Sequence, residues 1–224
     1  MELIHYLISF THLIYYLCIM FGIGKLFNYK LGRLFTESEC IDIIKTLDIE
    51  DKLIVSDEFG DLDLSVYEMD FEDMDDSVVK TLIHKRLVHY TKIIGKGLDE
   101  VFFIKYCDDK LEMHPHYDGG LTTTLVYLNN DFKGGGTQFP LVGKTHHPQD
   151  YPPGHYIYYN SNTLLSYHGG LPVTEGIKYA LVIRTQYISV LSFFTLLPYR
   201  IFRDVFFERL LRNIVVNKLF RKKS

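Results

Sequence analysis

Two segments early in the chain place apolar side chains at helical spacing. The first begins at a capping box, Thr36 with Glu39, where each side chain can satisfy a backbone N–H of the other residue. The apolar stripe that follows is Cys40, Ile43, Ile44 and Leu47. The second segment runs from about Asp73 to Ile94, with Asp75 and Asp76 in its first turn. Its stripe is Val79, Leu82, Ile83, Leu87 and Tyr90. The pattern predicts two amphipathic helices that brace a sheet.

Short apolar runs separated by Gly, Pro and Asn turns dominate the chain after the second helix. They predict strands at Val101–Tyr106, Thr122–Leu128, Gly154–Tyr159, Thr163–His168 and Lys178–Tyr187. In the last strand, alternation puts Lys178, Ala180, Val182 and Arg184 on one face, and both faces are largely apolar. Many short strands with such turns indicate a sandwich or a barrel. We expect a mainly β protein with flanking α-helices.

The N-terminal run is apolar over a length that a membrane-spanning helix needs, because residues 3–24 contain no charged side chain. The run has neither a basic n-region nor a cleavage site, so a cleaved signal is not expected. We expect residues 1–30 to form an apolar membrane anchor, with a helix packed on the domain as the alternative. Lys25, Lys30 and Arg33 follow the run and Glu2 precedes it, so the positive-inside rule would put the domain on the cytoplasmic side, and both orientations stay open.

Charge is distributed unevenly along the chain. From Pro198 onward, eight lysines or arginines stand against two acidic residues, a charge of +6 that leaves −10 on the rest of a chain of net charge −4. The apolar and basic segment 189–224 is typical of a helix at an anionic membrane surface, with docking on the barrel or on a partner subunit as the alternative. The acidic stretch 57–76 is predicted to be solvated surface. An acidic body argues against a nucleic-acid substrate.

One histidine and one carboxylate have metal-binding spacing. His116 and Asp118 lie at i and i+2, so on an extended strand both side chains leave the same face and can share one ion. His168 is the best candidate for a third ligand. His114 competes with His116, but only His116 has a carboxylate two positions on. Two imidazoles and one carboxylate leave positions open on the metal, which favours non-haem Fe(II) over zinc.

Lys178 opens the last predicted strand on a largely apolar face. A buried cation needs an anionic partner, and the carboxylate of a bound cosubstrate would be one. Arg184, six residues further along the same face, is the alternative anchor. His146 and His147, which precede Pro148, are expected in an exposed turn outside the site.

The stretch 101–187 resembles the prolyl 4-hydroxylase and lysyl hydroxylase branch of the 2-oxoglutarate, Fe(II)-dependent dioxygenases. The matching elements, in order, are the H-x-D of His116 and Asp118, the Y-L-N that starts at Tyr127, the F-x-G-G-G-T-x-F of residues 132–139, the distal His168 and the basic residue Lys178. The tail YHGGLPVTEGIKY is most similar to lysyl hydroxylases, which usually carry arginine where this chain has Lys178. Lysine there is the choice of collagen prolyl 4-hydroxylases. Met113 stands where many prolyl 4-hydroxylases have a tyrosine that helps to hold the cosubstrate.

The resemblance implies a double-stranded β-helix, or jelly-roll, core within a dioxygenase domain at residues 31–188. The helical brace would span residues 36–97 and the β core residues 100–188. The implied activity is hydroxylation of prolyl or lysyl side chains in a polypeptide, with Fe(II), 2-oxoglutarate, O₂ and ascorbate as cofactors. The alternatives are a non-catalytic β-helix that binds a partner at a membrane, and a nucleic-acid demethylase with the same iron chemistry.

The resemblance also assigns roles to residues. His116, Asp118 and His168 would bind iron, and Lys178 would hold the far carboxylate of 2-oxoglutarate with the help of Tyr127. We expect a membrane-associated protein, single-pass or peripheral, with a cytoplasmic location as the alternative.

Overall fold

The computed structural model describes residues 28–55, 66–108 and 111–185. The predicted N-terminal anchor lies outside the described residues as far as residue 27. The predicted C-terminal segment 189–224 and residues 57–65 of the acidic stretch also lie outside them. Within the described ranges, no helix is both long enough and apolar enough to cross a membrane. The membrane anchor stays a prediction.

Thirteen strands and two helices make up the described part of the chain. In order they are β1 (Lys30–Arg33), α1 (Glu37–Glu50), β2 (Ile54–Val55), β3 (Tyr67–Asp70), α2 (Val78–Ile94), β4 (Leu98–Tyr106), β5 (Met113–His116), β6 (Thr122–Tyr127), β7 (Lys133–Gly134), β8 (Thr137–Phe139), β9 (Lys144–His146), β10 (His155–Asn160), β11 (His168–Gly170), β12 (Val173–Glu175) and β13 (Lys178–Thr185). Three short 3₁₀ turns connect them at Phe71–Asp73, Pro148–Asp150 and Leu164–Ser166.

The strands form two main antiparallel sheets. The larger has the order β1-β10-β6-β13-β4-β3-β2, and the smaller has the order β5-β11-β8-β9. A two-stranded ribbon, β12-β7, completes the described strands. This is the double-stranded β-helix predicted from the sequence. Its two layers place the short strands β5 and β11, which carry the candidate metal ligands, opposite the long central strands of the larger sheet.

Alternation along the central strands separates two apolar cores. The outer core packs the helices on the larger sheet, with Cys40 and Ile43 of α1 against Leu181 and Ile183 of β13. The inner core fills the space between the sheets and includes Ala180 from the other face of β13. Because successive side chains of a strand point to opposite faces, one strand contributes to both layers. The predicted bracing helices and the predicted face of the last strand are confirmed.

Helix boundaries follow the capping side chains. The capping box of Thr36 and Glu39 is present at the start of α1, as predicted. The prediction that the second helix begins near Asp73 was wrong by one turn, because Ser77 is the N-cap and its hydroxyl accepts a hydrogen bond from the Lys80 amide. Asp75 and Asp76 therefore precede the helix. A 3₁₀ turn occupies part of the segment that was assigned to it.

The predicted strand Thr163–His168 was also wrong. Residues 164–166 form a 3₁₀ turn, and His168 begins a strand instead of ending one. The cause is local: the Ser166 hydroxyl contacts the carbonyls of Ser161 at 2.9 Å and Thr163 at 2.7 Å, so side-chain hydrogen bonds compete with strand pairing.

Candidate metal centre and cosubstrate pocket

Strand register brings the two candidate histidine ligands together. His168 of β11 is the direct cross-strand partner of His116 of β5, and the two ring centroids lie 4.6 Å apart. Asp118 follows β5 by two residues, so its carboxylate joins them. The ligand atoms of these three residues all lie within 4.8 Å of one another. Among the described residues, this is the group of His, Cys, Asp and Glu side chains that could hold a metal ion.

Backbone carbonyls orient both imidazoles. Nδ1 of His116 lies 2.9 Å from the carbonyl oxygen of His114, and Nδ1 of His168 lies 2.9 Å from that of Ser166. A carbonyl only accepts, so each Nδ1 carries a proton, which leaves Nε2 as the ligand atom of the neutral imidazole. Both Nε2 atoms face Asp118, at 3.6 Å from its carboxylate oxygens. This is the tautomer that a metal-binding histidine needs.

Electrostatics favours a neutral His168 beside an ionised Asp118. Burial lowers the pKa of His168 to about 4, so its imidazole is neutral at physiological pH. Burial opposes ionisation of Asp118, but its pairing with His116 and with the guanidinium of Arg184 holds its pKa well below the usual range, and the same pairing raises the pKa of His116. The donor set is therefore two imidazole nitrogens and one carboxylate, each residue at most 7% exposed. Such a set fits a divalent iron with positions left for other ligands.

A cavity of about 40 Å³ opens beside these three side chains. Tyr106, Met113 and Thr137 line it together with the ligands, and Glu68 and Arg184 contribute charged groups. The expectation that the whole acidic stretch is solvated surface was wrong for Glu68, which lines the cavity. Its neighbour Met69 packs in the outer core, so alternation turns Glu68 toward the inner face, where it is half-buried.

Lys178 is buried at the start of β13, with 1% of its surface exposed. Its ammonium donates to the carbonyl oxygen of Gly135 at 2.8 Å and lies over the rings of Tyr106 and Tyr127, at 4.4 and 5.5 Å from their centroids. Among the described residues, no carboxylate forms an ion pair with it. Burial alone lowers its pKa from 10.5 to about 7. The predicted buried cation is present, held by a carbonyl and two aromatic rings.

The glycine run Gly134–Gly136 allows the contact between the Lys178 ammonium and the Gly135 carbonyl. Gly134 and Gly135 adopt φ values of +73° and +63°, which side chains rarely tolerate. A Cβ on Gly134 would collide with the carbonyl of Pro172. The backbone can therefore pass close to its neighbour and turn the Gly135 carbonyl toward Lys178.

Tyr127 connects the lysine to the cavity wall. It is fully buried on β6, and its hydroxyl shares a hydrogen bond of 2.7 Å with Thr137, which lines the cavity. Its ring stacks on His155 with centroids 4.8 Å apart. His146, which was expected in an exposed turn, is buried in β9, and its Nε2 lies 2.9 Å from Nε2 of His155. That expectation was wrong because the turn begins one residue later: His147 is exposed.

Arg184, the alternative anchor, lies at the other end of the site. Its guanidinium pairs with Glu100 at 2.6 Å and with Asp118 at 3.3 Å, and it covers the ring of Phe102. Lys178 lies six residues away, about 20 Å along an extended strand. The structure thus places the two cations at opposite ends of β13, with Arg184 next to the metal ligands.

Sequence reasoning did not find four side chains of this site: Tyr106, Thr123, Tyr159 and Glu68. Tyr106 and Thr123 belong to strands that were predicted correctly, but only the register across strands shows which residues they meet. Alternation from Met69 could have placed Glu68 on the inner face.

The structure is similar to several solved prolyl hydroxylases. A collagen prolyl hydroxylase of Paramecium bursaria Chlorella virus-1, in its 2-oxoglutarate complex, is 20% identical with a TM-score of 0.56; the match covers 71% of this chain and 96% of that one. A prolyl-4-hydroxylase of Pseudomonas putida is 13% identical with a TM-score of 0.52, over 73% and 94% of the two chains.

A Trichoplax adhaerens prolyl hydroxylase, in complex with a peptide of the hypoxia-inducible factor oxygen degradation domain, is 12% identical with a TM-score of 0.52, over 83% and 93% of the two chains. No protein-family model and no curated protein matches the sequence. At these identities the likeness concerns the fold. The chain has the double-stranded β-helix fold of the prolyl hydroxylase branch of the 2-oxoglutarate, Fe(II)-dependent oxygenases.

Proposed function

We propose that this protein is an Fe(II)- and 2-oxoglutarate-dependent hydroxylase that acts on a prolyl or lysyl side chain in a polypeptide. The observation that carries the proposal is the buried cluster of His116, Asp118 and His168, with both Nε2 atoms facing the carboxylate of Asp118. It stands in a fold shared with proteins of that activity. A binding module that had lost catalysis would not need all three ligands.

The proposed work is divided between the metal ligands at the cavity and the buried Lys178, which Tyr106 separates from the cavity. His116, Asp118 and His168 would hold iron, which with 2-oxoglutarate and O₂ supplies the oxidising chemistry that puts one oxygen atom into the substrate and one into succinate. Lys178 would bind the far carboxylate of the cosubstrate, because a buried ammonium gains a charged partner in this way. Tyr127 and Thr137 would orient that carboxylate, and Tyr106 would keep water from the lysine.

Lys178 is a better anchor than Arg184. Arg184 already pairs with Glu100 and Asp118, so binding a further carboxylate would disturb a metal ligand. Lys178 has only a carbonyl and two rings as described partners. A desolvated ammonium of this kind gains most from an incoming anion.

A polypeptide substrate is supported by the peptide complex of the Trichoplax relative. A nucleic-acid substrate is disfavoured by the acidic body and by Glu68 at the cavity, which would repel a phosphate backbone. We keep both prolyl and lysyl targets in the proposal, because the match to Lys178 and the match of the tail favour different branches of the resemblance.

Succinate release tests the proposal. The full chain, with Fe(II) and 2-oxoglutarate, should release succinate with proline-rich or lysine-containing peptides, and mass spectrometry should find one added oxygen in the peptide. His116→Ala should remove both signals, while His84→Ala, an exposed histidine of α2, should retain them. Release without ascorbate would remove ascorbate from the proposed cofactors. Absence of 2-oxoglutarate consumption with every peptide would favour the binding module.

Membrane association through the terminal segments is part of the proposal and rests on the sequence of those segments. Removal of residues 1–24 should shift the protein from the membrane fraction toward the supernatant, with salt-sensitive binding left to the basic C-terminal segment. An intact chain found entirely in the supernatant without detergent would contradict this part and favour packed helices.

A further inference from the structure

Tyr159 places a phenol directly against the candidate metal ligands. Its hydroxyl lies 2.8 Å from Oδ2 of Asp118 and 3.0 Å from Nε2 of His168, and the residue is 1% exposed. The ring is packed edge-on against Phe139 and His168, with centroids 5.2 and 5.3 Å away. A carboxylate oxygen only accepts, so the phenol donates to Asp118.

Thr123 supplies a second hydroxyl to the same oxygen. Its Oγ1 donates to Oδ2 of Asp118 at 2.7 Å. Both hydroxyls reach the same oxygen because Tyr159 of β10 and Thr123 of β6 are direct cross-strand partners in the larger sheet. Side chains at such paired positions leave one face about 5 Å apart, close enough for both to reach one carboxylate.

The other oxygen of Asp118 has different neighbours. Oδ1 lies 3.6 Å from Nε2 of His116 and 3.3 Å from the guanidinium of Arg184. With two hydroxyl donors on Oδ2, rotation of the carboxylate would break two buried hydrogen bonds. Hydrogen bonds to a charged acceptor are among the stronger ones in proteins.

We propose that Tyr159 and Thr123 are positioning residues that fix the carboxylate of Asp118, so that it binds the metal through Oδ1 alone. The proposal rests on the metal site of the proposed function and deepens it. A carboxylate free to turn could bind the ion through both oxygens and take a coordination position that the cosubstrate or O₂ requires. The pair of hydroxyls would hold that position open.

The test is metal binding by the intact chain, measured by titration with Co(II) under anaerobic conditions and by the visible spectrum of the bound ion. Tyr159→Phe and Thr123→Val should each weaken Co(II) binding, by about 10-fold to 100-fold as for other partners of metal ligands. The double variant should lose more than either single one. The Co(II) spectrum should also change, because a carboxylate bound through two oxygens alters the coordination number.

A matched control pair is Thr124, on the opposite face of β6 from Thr123, with Tyr90 of α2. The hydroxyls of Tyr90 and Thr124 share a buried hydrogen bond of 2.6 Å, away from the metal ligands. Tyr90→Phe and Thr124→Val therefore remove chemically equivalent groups. They should lower the thermal midpoint about as much as Tyr159→Phe and Thr123→Val do, while leaving the Co(II) affinity and spectrum unchanged.

Each outcome decides the proposal. Wild-type affinity and spectrum in Tyr159→Phe would overturn it, as would an equal loss of affinity in Tyr90→Phe. A visible charge-transfer band of the Fe(III) protein that disappears in Tyr159→Phe would also overturn it, because the phenol would then be a ligand itself. If the wild type binds Co(II) but never consumes 2-oxoglutarate, only the proposed function fails. If it binds no divalent metal, both fail.

Discussion

Replacing Lys178 with methionine should stabilise the ligand-free protein while removing its affinity for 2-oxoglutarate. Methionine keeps the length and packing of the buried side chain but has no charge to desolvate. In the folded protein the pKa of Lys178 falls from 10.5 to about 7. At about 1.4 kcal/mol per pH unit, that difference corresponds to a cost of about 5 kcal/mol when the pH is below 7.

The pH dependence of the free energy of unfolding follows from the protons that the folded and unfolded chains bind. Between pH 7 and 10.5 the unfolded chain holds a proton on Lys178 that the folded chain has released, so the stability of the wild type rises with pH through this window. The advantage of Lys178→Met should therefore be largest near pH 6. It should shrink by about 2–3 kcal/mol by pH 9.

Urea unfolding of both proteins at pH 6 and pH 9, without cosubstrate, measures this difference. With a redox-inert metal present throughout, 2-oxoglutarate at 100 times its dissociation constant should then stabilise the wild type by about 2.7 kcal/mol and should add no stability to Lys178→Met. An advantage that does not depend on pH would show that Lys178 is charged in the ligand-free protein. Equal stabilisation of both proteins by 2-oxoglutarate would show that another group is the anchor.

Three further predictions concern the same pocket. Asp118→Ala should abolish succinate release and weaken Fe(II) binding, because two imidazoles alone do not neutralise the dication; full turnover in this variant would refute the ligand assignment. The KM for 2-oxoglutarate should rise by up to about tenfold per pH unit above pH 7 as Lys178 loses its proton, whereas Lys178→Arg should give a KM that is flat up to pH 9. Lys178→Ala should raise this KM more than Arg184→Ala, whose main effect should be on metal affinity through Asp118; the reverse order would identify Arg184 as the anchor.

The sequence predicted the features that depend on neighbours along the chain. The capping box at Thr36, the common face of His116 and Asp118, and the alternation that buries Lys178 all follow from spacings of two to four residues. These spacings are set by helix and strand geometry and do not require knowledge of the rest of the fold. The assignment of the fold needed more, namely several motifs in a fixed order.

Features that depend on distant pairing were missed. The partnership of Tyr159 with Thr123 is a property of strand register, and no local pattern around either residue indicates it. The strand prediction around Ser166 failed for a different reason. The alternation there resembles a strand, yet the Ser166 hydroxyl lies within hydrogen-bond distance of two nearby carbonyls, and the segment forms a turn before His168 begins a strand.

Strand β13 shows how one short element can serve stability and binding with opposite arrangements of charge. At one end, Arg184 is matched by Glu100 and Asp118, so its charge is neutralised in the ligand-free protein and holds a metal ligand in place. At the other end, Lys178 faces a carbonyl and two rings, so its charge is destabilising until an anion arrives. A pocket that already contained a carboxylate beside Lys178 would be more stable but would bind 2-oxoglutarate poorly, because the incoming anion would have to displace it. The unfavourable burial of Lys178 is therefore the physical source of the affinity that we propose for this end of the pocket.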